Sequence, residues 1–381
     1  MHPAGKLSPM GVLDVGRKCP HSCCFCFYSF YDKSEKQFNY LRTAEYLSTE
    51  SLKNLLRYFA QWGLTHFEYT GGEPSLHPDI VEITRYAHKE LGLKGRMITM
   101  GQFLGTKLGG SSEILLDRLL EAGLNDFLFS FHTVDAEMFH KLTGADLGKL
   151  QSVMKTLDDR GFSYCTNTVV EANNYKTLPD TARYLVSSGT RYHNFLIMRL
   201  DWGWANNNMR EEMAVGYKAK YNDIDKYIKE ATDILVAADI AVNIRYAPYC
   251  MFKGYEKHIV GFKGAAMDPY EWRNGTKAAS EGEPLLKCIT EEDNYTKRIP
   301  LFESDPAYNL AFSEKCEKCA VRPICDGVDR DYVARHGWDE FEPLAGEQIK
   351  DVVHFRYEYP GPFIMKEEQY ERSPRKKETS S

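Results

Sequence analysis

Strand-like and helix-like patterns take turns along most of the first 240 residues. Apolar, β-favouring runs at 11–15, 66–70, 96–100, 126–131, 163–170 and 195–200 are separated by helical stretches. The first helix shows the signals clearly. Ser48 caps it, Leu52, Leu55, Leu56 and Phe59 recur at i, i+3, i+4 and i+7, and Gly63 ends it. Further helices are expected at 78–91, 112–122, from after Gly144 to near 161, at 177–187 and at 217–238. A chain that returns through a helix after every strand can pair those strands only in parallel, so the class is α/β. In such folds the reactive groups sit at the C-terminal ends of the strands.

Two motifs fall at such ends. The first strand feeds Lys18-Cys19-Pro20-His21-Ser22-Cys23-Cys24-Phe25-Cys26-Phe27, in which Cys19, Cys23 and Cys26 are spaced Cys-x3-Cys-x2-Cys. Three thiolates in one tight loop can hold three irons of a 4Fe–4S cube and leave the fourth iron without a protein ligand. An open position separates a reactive metal site from a structural one. A zinc knuckle is the alternative, but it wants a fourth Cys or His at close spacing. His21, lying between the ligands, is badly placed for that. Cys24 breaks the x3/x2 spacing and reads as a bystander. The second strand runs into Gly71-Gly72-Glu73-Pro74. Two glycines let backbone approach a ligand closely, and a carboxylate can take an ammonium proton.

The cysteine spacing, the neighbouring aromatics Phe25 and Phe27, and the Gly-Gly-Glu turn one βα unit later together resemble the radical S-adenosylmethionine (radical SAM) enzymes. The resemblance implies a partial (βα)6 TIM-like barrel as the core. It also implies a 4Fe–4S cluster on Cys19, Cys23 and Cys26 whose fourth iron chelates SAM, reductive cleavage of SAM to a 5′-deoxyadenosyl radical, and SAM binding by Gly71, Gly72 and Glu73. Ser130, at the end of strand four, stands where the family often has a polar side chain on SAM. Relatives often carry Thr-Asn-Gly after strand three. Here Thr99-Met100-Gly101 lacks that amide. Phe131-His132-Thr133 with Leu142-Thr143-Gly144 resembles a stretch of radical SAM maturases, with His132 expected to be structural.

Ile240 to Tyr246 reads as another strand, and from Ala247 on the rhythm gives way to Gly, Pro, aromatics and Cys. Cys316, Cys319 and Cys325 form Cys-x2-Cys-x5-Cys, which resembles SPASM and twitch domains that carry auxiliary 4Fe–4S clusters. A full SPASM domain continues with a Cys at the position of Asp329. One auxiliary cluster is therefore expected, on Cys316, Cys319, Cys325 and either Cys250, the first choice, or Cys288. A three-cysteine site and structural zinc are the alternatives. The expected division is a core at 1–240, an auxiliary domain at 241–345 and an extension with a charged tail at 346–381. Cys165 reads as a core thiol. Arg199-Leu200-Asp201-Trp202-Gly203-Trp204 either shapes a substrate pocket or covers the barrel mouth.

The 381 residues carry a formal net charge of −6, which argues against a broad nucleic-acid surface. There is no apolar run of membrane length and no apolar signal region at the N-terminus, so a cytoplasmic enzyme is expected. With Cys19 this near the start of the sequence, no preceding cobalamin or winged-helix module is expected. The substrate is expected to be a small molecule or a peptide, and the electron donor a low-potential protein such as a flavodoxin or ferredoxin. The competing class is a non-catalytic module in which zinc holds both cysteine groups and the surface binds another protein.

Overall fold

A computed structural model describes residues 10–26, 28, 39–61, 63–107, 112–199, 218–261, 263, 309–352 and 354–356. Among them, β1 (Met10–Asp14), β2 (His66–Thr70), β3 (Lys94–Thr99), β4 (Leu124–Ser130), β5 (Tyr164–Val170), β6 (Thr190–Ile197), β7 (Ala241–Arg245) and β8 (Ile259–Val260) form one sheet in sequential order. Every neighbouring pair is parallel. Sequential order is that of a barrel wall; a doubly wound sheet reverses direction part-way along. β1 and β8 are the edges of this sheet, so the wall is a partial barrel. β7 falls in the further strand expected over 240–246, and β8 adds one more, so the sheet runs past residue 240.

Helices α1 (Asn39–Thr43), α2 (Thr49–Gln61), α3 (Ile80–Lys89), α4 (Leu115–Glu121), α5 (Ala136–Thr143), α6 (Leu147–Asp159), α7 (Leu178–Val186) and α8 (Tyr221–Ala237) lie between the strands. Alternation sorts the strand side chains. Phe67, Tyr69, Met97, Phe127, Phe129, Phe195, Val242 and Ile244 share the main core with Leu52, Leu56 and Phe59 of α2 and Ile83 of α3. Burying side chains of this size stabilises by about 1.5–3 kcal/mol each. The opposite face carries a second small cluster of Leu128, Cys165 and Tyr192. Below it runs a charged row: Glu68 is in register with Arg96 and Arg96 with Asp126. Arg96 pairs with Glu68, and both side chains are about 3% exposed. Asp126 takes both guanidinium nitrogens of Arg191, at 3.0 and 2.6 Å.

After β8 the described chain resumes at Asn309. A short antiparallel pair, β9 (Leu310–Ala311) with β10 (Val328–Asp329), brackets the last three cysteines. α9 (Arg330–His336) follows, and its Tyr332 hydroxyl accepts the backbone N–H of Tyr221 at 3.0 Å, docking this segment on the start of α8. Asp329, where a full SPASM domain has cysteine, caps α9: its Oδ1 accepts the N–H groups of Asp331 and Tyr332.

Candidate active site and metal centres

The cysteine loop leaves the C-terminal end of β1. Its polar backbone is gripped by α5, whose last carbonyls have no partner within the helix. Ser22 N–H donates to the Thr143 carbonyl at 2.7 Å and Cys24 N–H to that of Leu142 at 2.9 Å. Gly144 closes α5 at φ +69°, donating to His140. A Cβ there would come within 3.3 Å of Ser22 N. The Leu142-Thr143-Gly144 motif is thus a seat for the cysteine loop. Cys19, Cys23 and Cys26 are partly exposed, while Cys24 is buried. Burial pushes the Cys19 thiol up to about 12, helped by the charges of Glu73 and Cys26. Cys23 is raised by burial and then by Cys26 and Cys19. Three soft donors on one loop, with Cys26 disfavouring ionisation of both Cys19 and Cys23, fit a cationic iron–sulfur cluster that would stabilise all three thiolates. Among the described residues, no three His, Cys, Asp or Glu side chains close around a single-ion site.

The Gly-Gly turn after β2 packs on the residues just before Cys19. Gly72 N–H donates to Gly16 O at 2.8 Å and Glu73 N–H to Lys18 O at 3.0 Å. Gly71 has φ +122°, and a Cβ on Gly72 would sit 2.0 Å from Lys18 O. Only glycine allows that approach. Glu73 is fully buried. Its Oε1 accepts from Ser75 N (3.1 Å), Ser75 Oγ (2.6 Å) and Thr99 Oγ1 (2.6 Å), and its Oε2 from Met100 N (3.1 Å). His21 turns inward with Nε2 3.6 Å from Oε2. Burial alone would raise this carboxyl, but the facing His21, Ser75 and Thr99 outweigh it and hold it below its usual range. Glu73 therefore ties the end of β2 to the end of β3, and position 100 contributes through its backbone.

Ser130 ends β4 and is in register with Asn167 of β5, Asn167 with Asn194 of β6, and Asn194 with Asn243 of β7. This polar row had no local signal in the sequence. Only strand register reveals it. His132 is buried, its Nδ1 accepts Val169 N–H at 3.2 Å, and the Phe25 ring meets it edge-on with centroids 4.6 Å apart. Burial pushes it down to about 3, which disfavours its charged form. Cys165 is a core thiol facing Asp126.

The second cysteine group converges from distant segments. Cys250, in a turn just after β7, lines one cavity with Cys316, Cys319 and Cys325, walled by Phe312, Val321, Trp338 and Phe341. Donors lie against the sulfurs. Leu344 N–H reaches Cys319 Sγ and Gly327 N–H reaches Cys325 Sγ, both at 3.4 Å, and Ser313 Oγ lies 3.4 Å from Cys316 Sγ. Burial, then Cys325, Cys319 and Cys316, pushes Cys250 up to about 12. Four soft sulfurs in an apolar pocket, three of them already beside a donor, fit a thiolate-ligated cluster. Cys288 and residues 200–217, with Trp202 and Trp204, lie outside the described residues. Arg199 is described: it is buried, with its guanidinium 5.9 Å from the ring centre of Tyr246.

Comparisons with known proteins agree with this geometry. Residues 13–185 match the family model of the radical SAM superfamily. The chain is 29% identical over 250 residues to a PqqA peptide cyclase of Methylorubrum populi, covering 64% of this chain and 60% of that one. It is 30% identical over 191 residues to a GTP 3′,8-cyclase of Aquifex aeolicus, covering 48% and 56%. The matches thus span about 60% or less of these relatives. Among solved structures it resembles Streptococcus suis SuiB bound to precursor peptide SuiA (TM-score 0.54, 15% identity, 91% of this chain and 76% of that one). It also resembles anSMEcpe with bound AdoMet (TM-score 0.51, 17% identity, 87% and 95%). At those identities the likeness establishes the fold, and it is the fold expected from the sequence. The chain carries a radical SAM domain over residues 13–185, built on the superfamily's partial barrel.

Proposed function

We propose that this radical SAM protein modifies a peptide by hydrogen abstraction, assisted by one auxiliary 4Fe–4S cluster. The observation that carries the proposal is the convergence of Cys250 with Cys316, Cys319 and Cys325 on one apolar cavity, beside a barrel whose β1 and β2 ends hold the cysteine loop and the Gly-Gly-Glu turn together. Cys19, Cys23 and Cys26 hold the SAM cluster. Gly71, Gly72, Glu73 and Ser130 receive SAM, and the protein supplies orientation and exclusion of water. When bound, the cluster and SAM supply reductive cleavage of the sulfonium to methionine and a 5′-deoxyadenosyl radical. Cys250, Cys316, Cys319 and Cys325 hold the second cluster, which takes up or relays an electron, or orients the substrate.

A peptide is favoured because the match to PqqA peptide cyclases runs through 250 residues. A small molecule is the second reading, supported by the 191-residue match to GTP 3′,8-cyclases. The electron donor is a low-potential flavodoxin or ferredoxin, and the setting is cytoplasmic. Among the described residues no helix is long and apolar enough to cross a membrane. The auxiliary unit spans 241–345, with its first strands, β7 and β8, completing the sheet of the core. Anaerobic reconstitution of Cys250→Ala tests the ligand set: iron should fall by about half, from about eight to about four per chain, while 5′-deoxyadenosine still forms. Unchanged iron would remove Cys250 from the set.

A further inference from the structure

The cysteine loop is also held by one residue of α1 that the motifs do not mark. Arg42 Nη1 donates to the carbonyls of Cys19 at 2.7 Å and His21 at 2.6 Å, and Nη2 donates to Ser22 Oγ at 2.7 Å. The carbonyl of Leu41, one residue earlier, accepts Cys19 N–H at 2.8 Å. The loop is therefore clamped. Ser22 is held by its hydroxyl on the Arg42 side and by its N–H on the Thr143 side, and Cys19 is held at both backbone groups by α1. The loop has no regular ladder of its own to fix these groups. A planar guanidinium presents several donors in a fixed fork and can satisfy three acceptors at once, which a lysine ammonium on a flexible stem cannot reproduce. Arg42 is exposed, so its contribution to the hydrophobic core is small.

We propose that Arg42 is a positioning residue that pre-organises the Cys19–Cys26 loop for its metal cluster. This rests on the reading that the loop binds a 4Fe–4S cluster. The test compares Arg42→Gln, Arg42→Lys and Cys19→Ala with the unmodified chain after anaerobic reconstitution with ferrous iron and sulfide. Three quantities are measured: the SAM-responsive electron paramagnetic resonance signal, which reports the loop site alone, its rate of loss to an iron chelator, and the melting temperature of the metal-free protein. Arg42→Gln should lose the signal about tenfold faster and broaden it. Its metal-free melting temperature should change little, as for a surface substitution. Arg42→Lys should fall between the two, and it carries the same comparison if the glutamine variant does not fold. A signal and loss rate equal to the unmodified chain in both variants, or a melting temperature that falls in step with the faster loss, would overturn the proposal. A full SAM-responsive signal in Cys19→Ala would instead overturn the cluster reading on which it rests.

Discussion

Gly72→Ala puts one methyl group where the structure has no room. The new Cβ would lie 2.0 Å from Lys18 O, 2.5 Å from Lys18 C and 2.7 Å from Arg17 C, all backbone atoms. Ordinary contact begins near 3.4 Å, so the carbonyl beside Cys19 must retreat by about 1.4 Å. Overpacking of this kind costs about 1–3 kcal/mol. The retreat also breaks the Glu73 N–H to Lys18 O bond, worth about 1 kcal/mol. A total of about 2–4 kcal/mol corresponds to a melting temperature lower by roughly 5–10 °C in a domain of this size. The sharper consequence is local, because the displaced backbone leads directly into Cys19, a proposed cluster ligand. Gly63→Ala is the control: at φ +74° with nothing within 4 Å it meets backbone strain alone, about 1–2 kcal/mol. Thermal unfolding of both metal-free variants, followed by iron and SAM binding after reconstitution, separates the effects. Both should melt lower, and only Gly72→Ala should lose SAM binding. Gly72→Ala binding SAM and iron like the unmodified chain would refute the packing argument.

Cys19→Ala should abolish SAM cleavage, whereas Cys319→Ala should keep some abortive cleavage and lose product, read by chromatography of 5′-deoxyadenosine and substrate; unchanged product yield would sink the role given to the second cluster. Removing one partner of the buried Glu68–Arg96 pair, as in Glu68→Ala, should cost about 3–5 kcal/mol of unfolding free energy, measured by urea denaturation, because the other charge stays buried. Glu171, buried at the C-terminal end of β5, has its carboxyl pushed up to about 7 by burial, against the lowering influence of Asn173, Asn174 and Lys141. A folded value above the unfolded one means the protonated form belongs to the fold, so its contribution is full below about 4.3 and lost as pH rises through 7. Stability should fall by up to about 3 kcal/mol between pH 5 and 8. The fall should shrink in Glu171→Gln, and an equal fall in both proteins would contradict the assignment.

What the sequence disclosed depended on how local the signal was. Ser48 does cap α2, accepting Ser51 N–H at 3.2 Å, and Gly63 ends it in the left-handed region. The strand at His66–Thr70 is read correctly because Phe67 and Tyr69 alternate with residues facing the other way. β6 was misplaced for the converse reason. It begins at Thr190, and its first half, Thr-Arg-Tyr-His-Asn, has polar groups on both faces. Several find partners on neighbouring strands: His193 Nδ1 lies 2.8 Å from Thr166 Oγ1 of β5, and Asn243 Nδ2 of β7 donates to Tyr192 OH at 2.6 Å. α5 is too short to show a period, so its role as the seat of the cysteine loop was visible only as a motif. The meeting of Cys250 with Cys316 spans 66 residues, and no spacing rule reaches that far. Arg42 likewise carries no motif, since its three acceptors are assembled by the fold.

The most direct test is to count iron and sulfide per chain after anaerobic reconstitution and then assay 5′-deoxyadenosine from SAM with a strong reductant. Two clusters require about eight irons per chain, with deoxyadenosine formed. About four irons with cleavage would leave the radical SAM site standing and remove the auxiliary cluster. A colourless protein with zinc at both cysteine groups and no cleavage would contradict the proposed function outright.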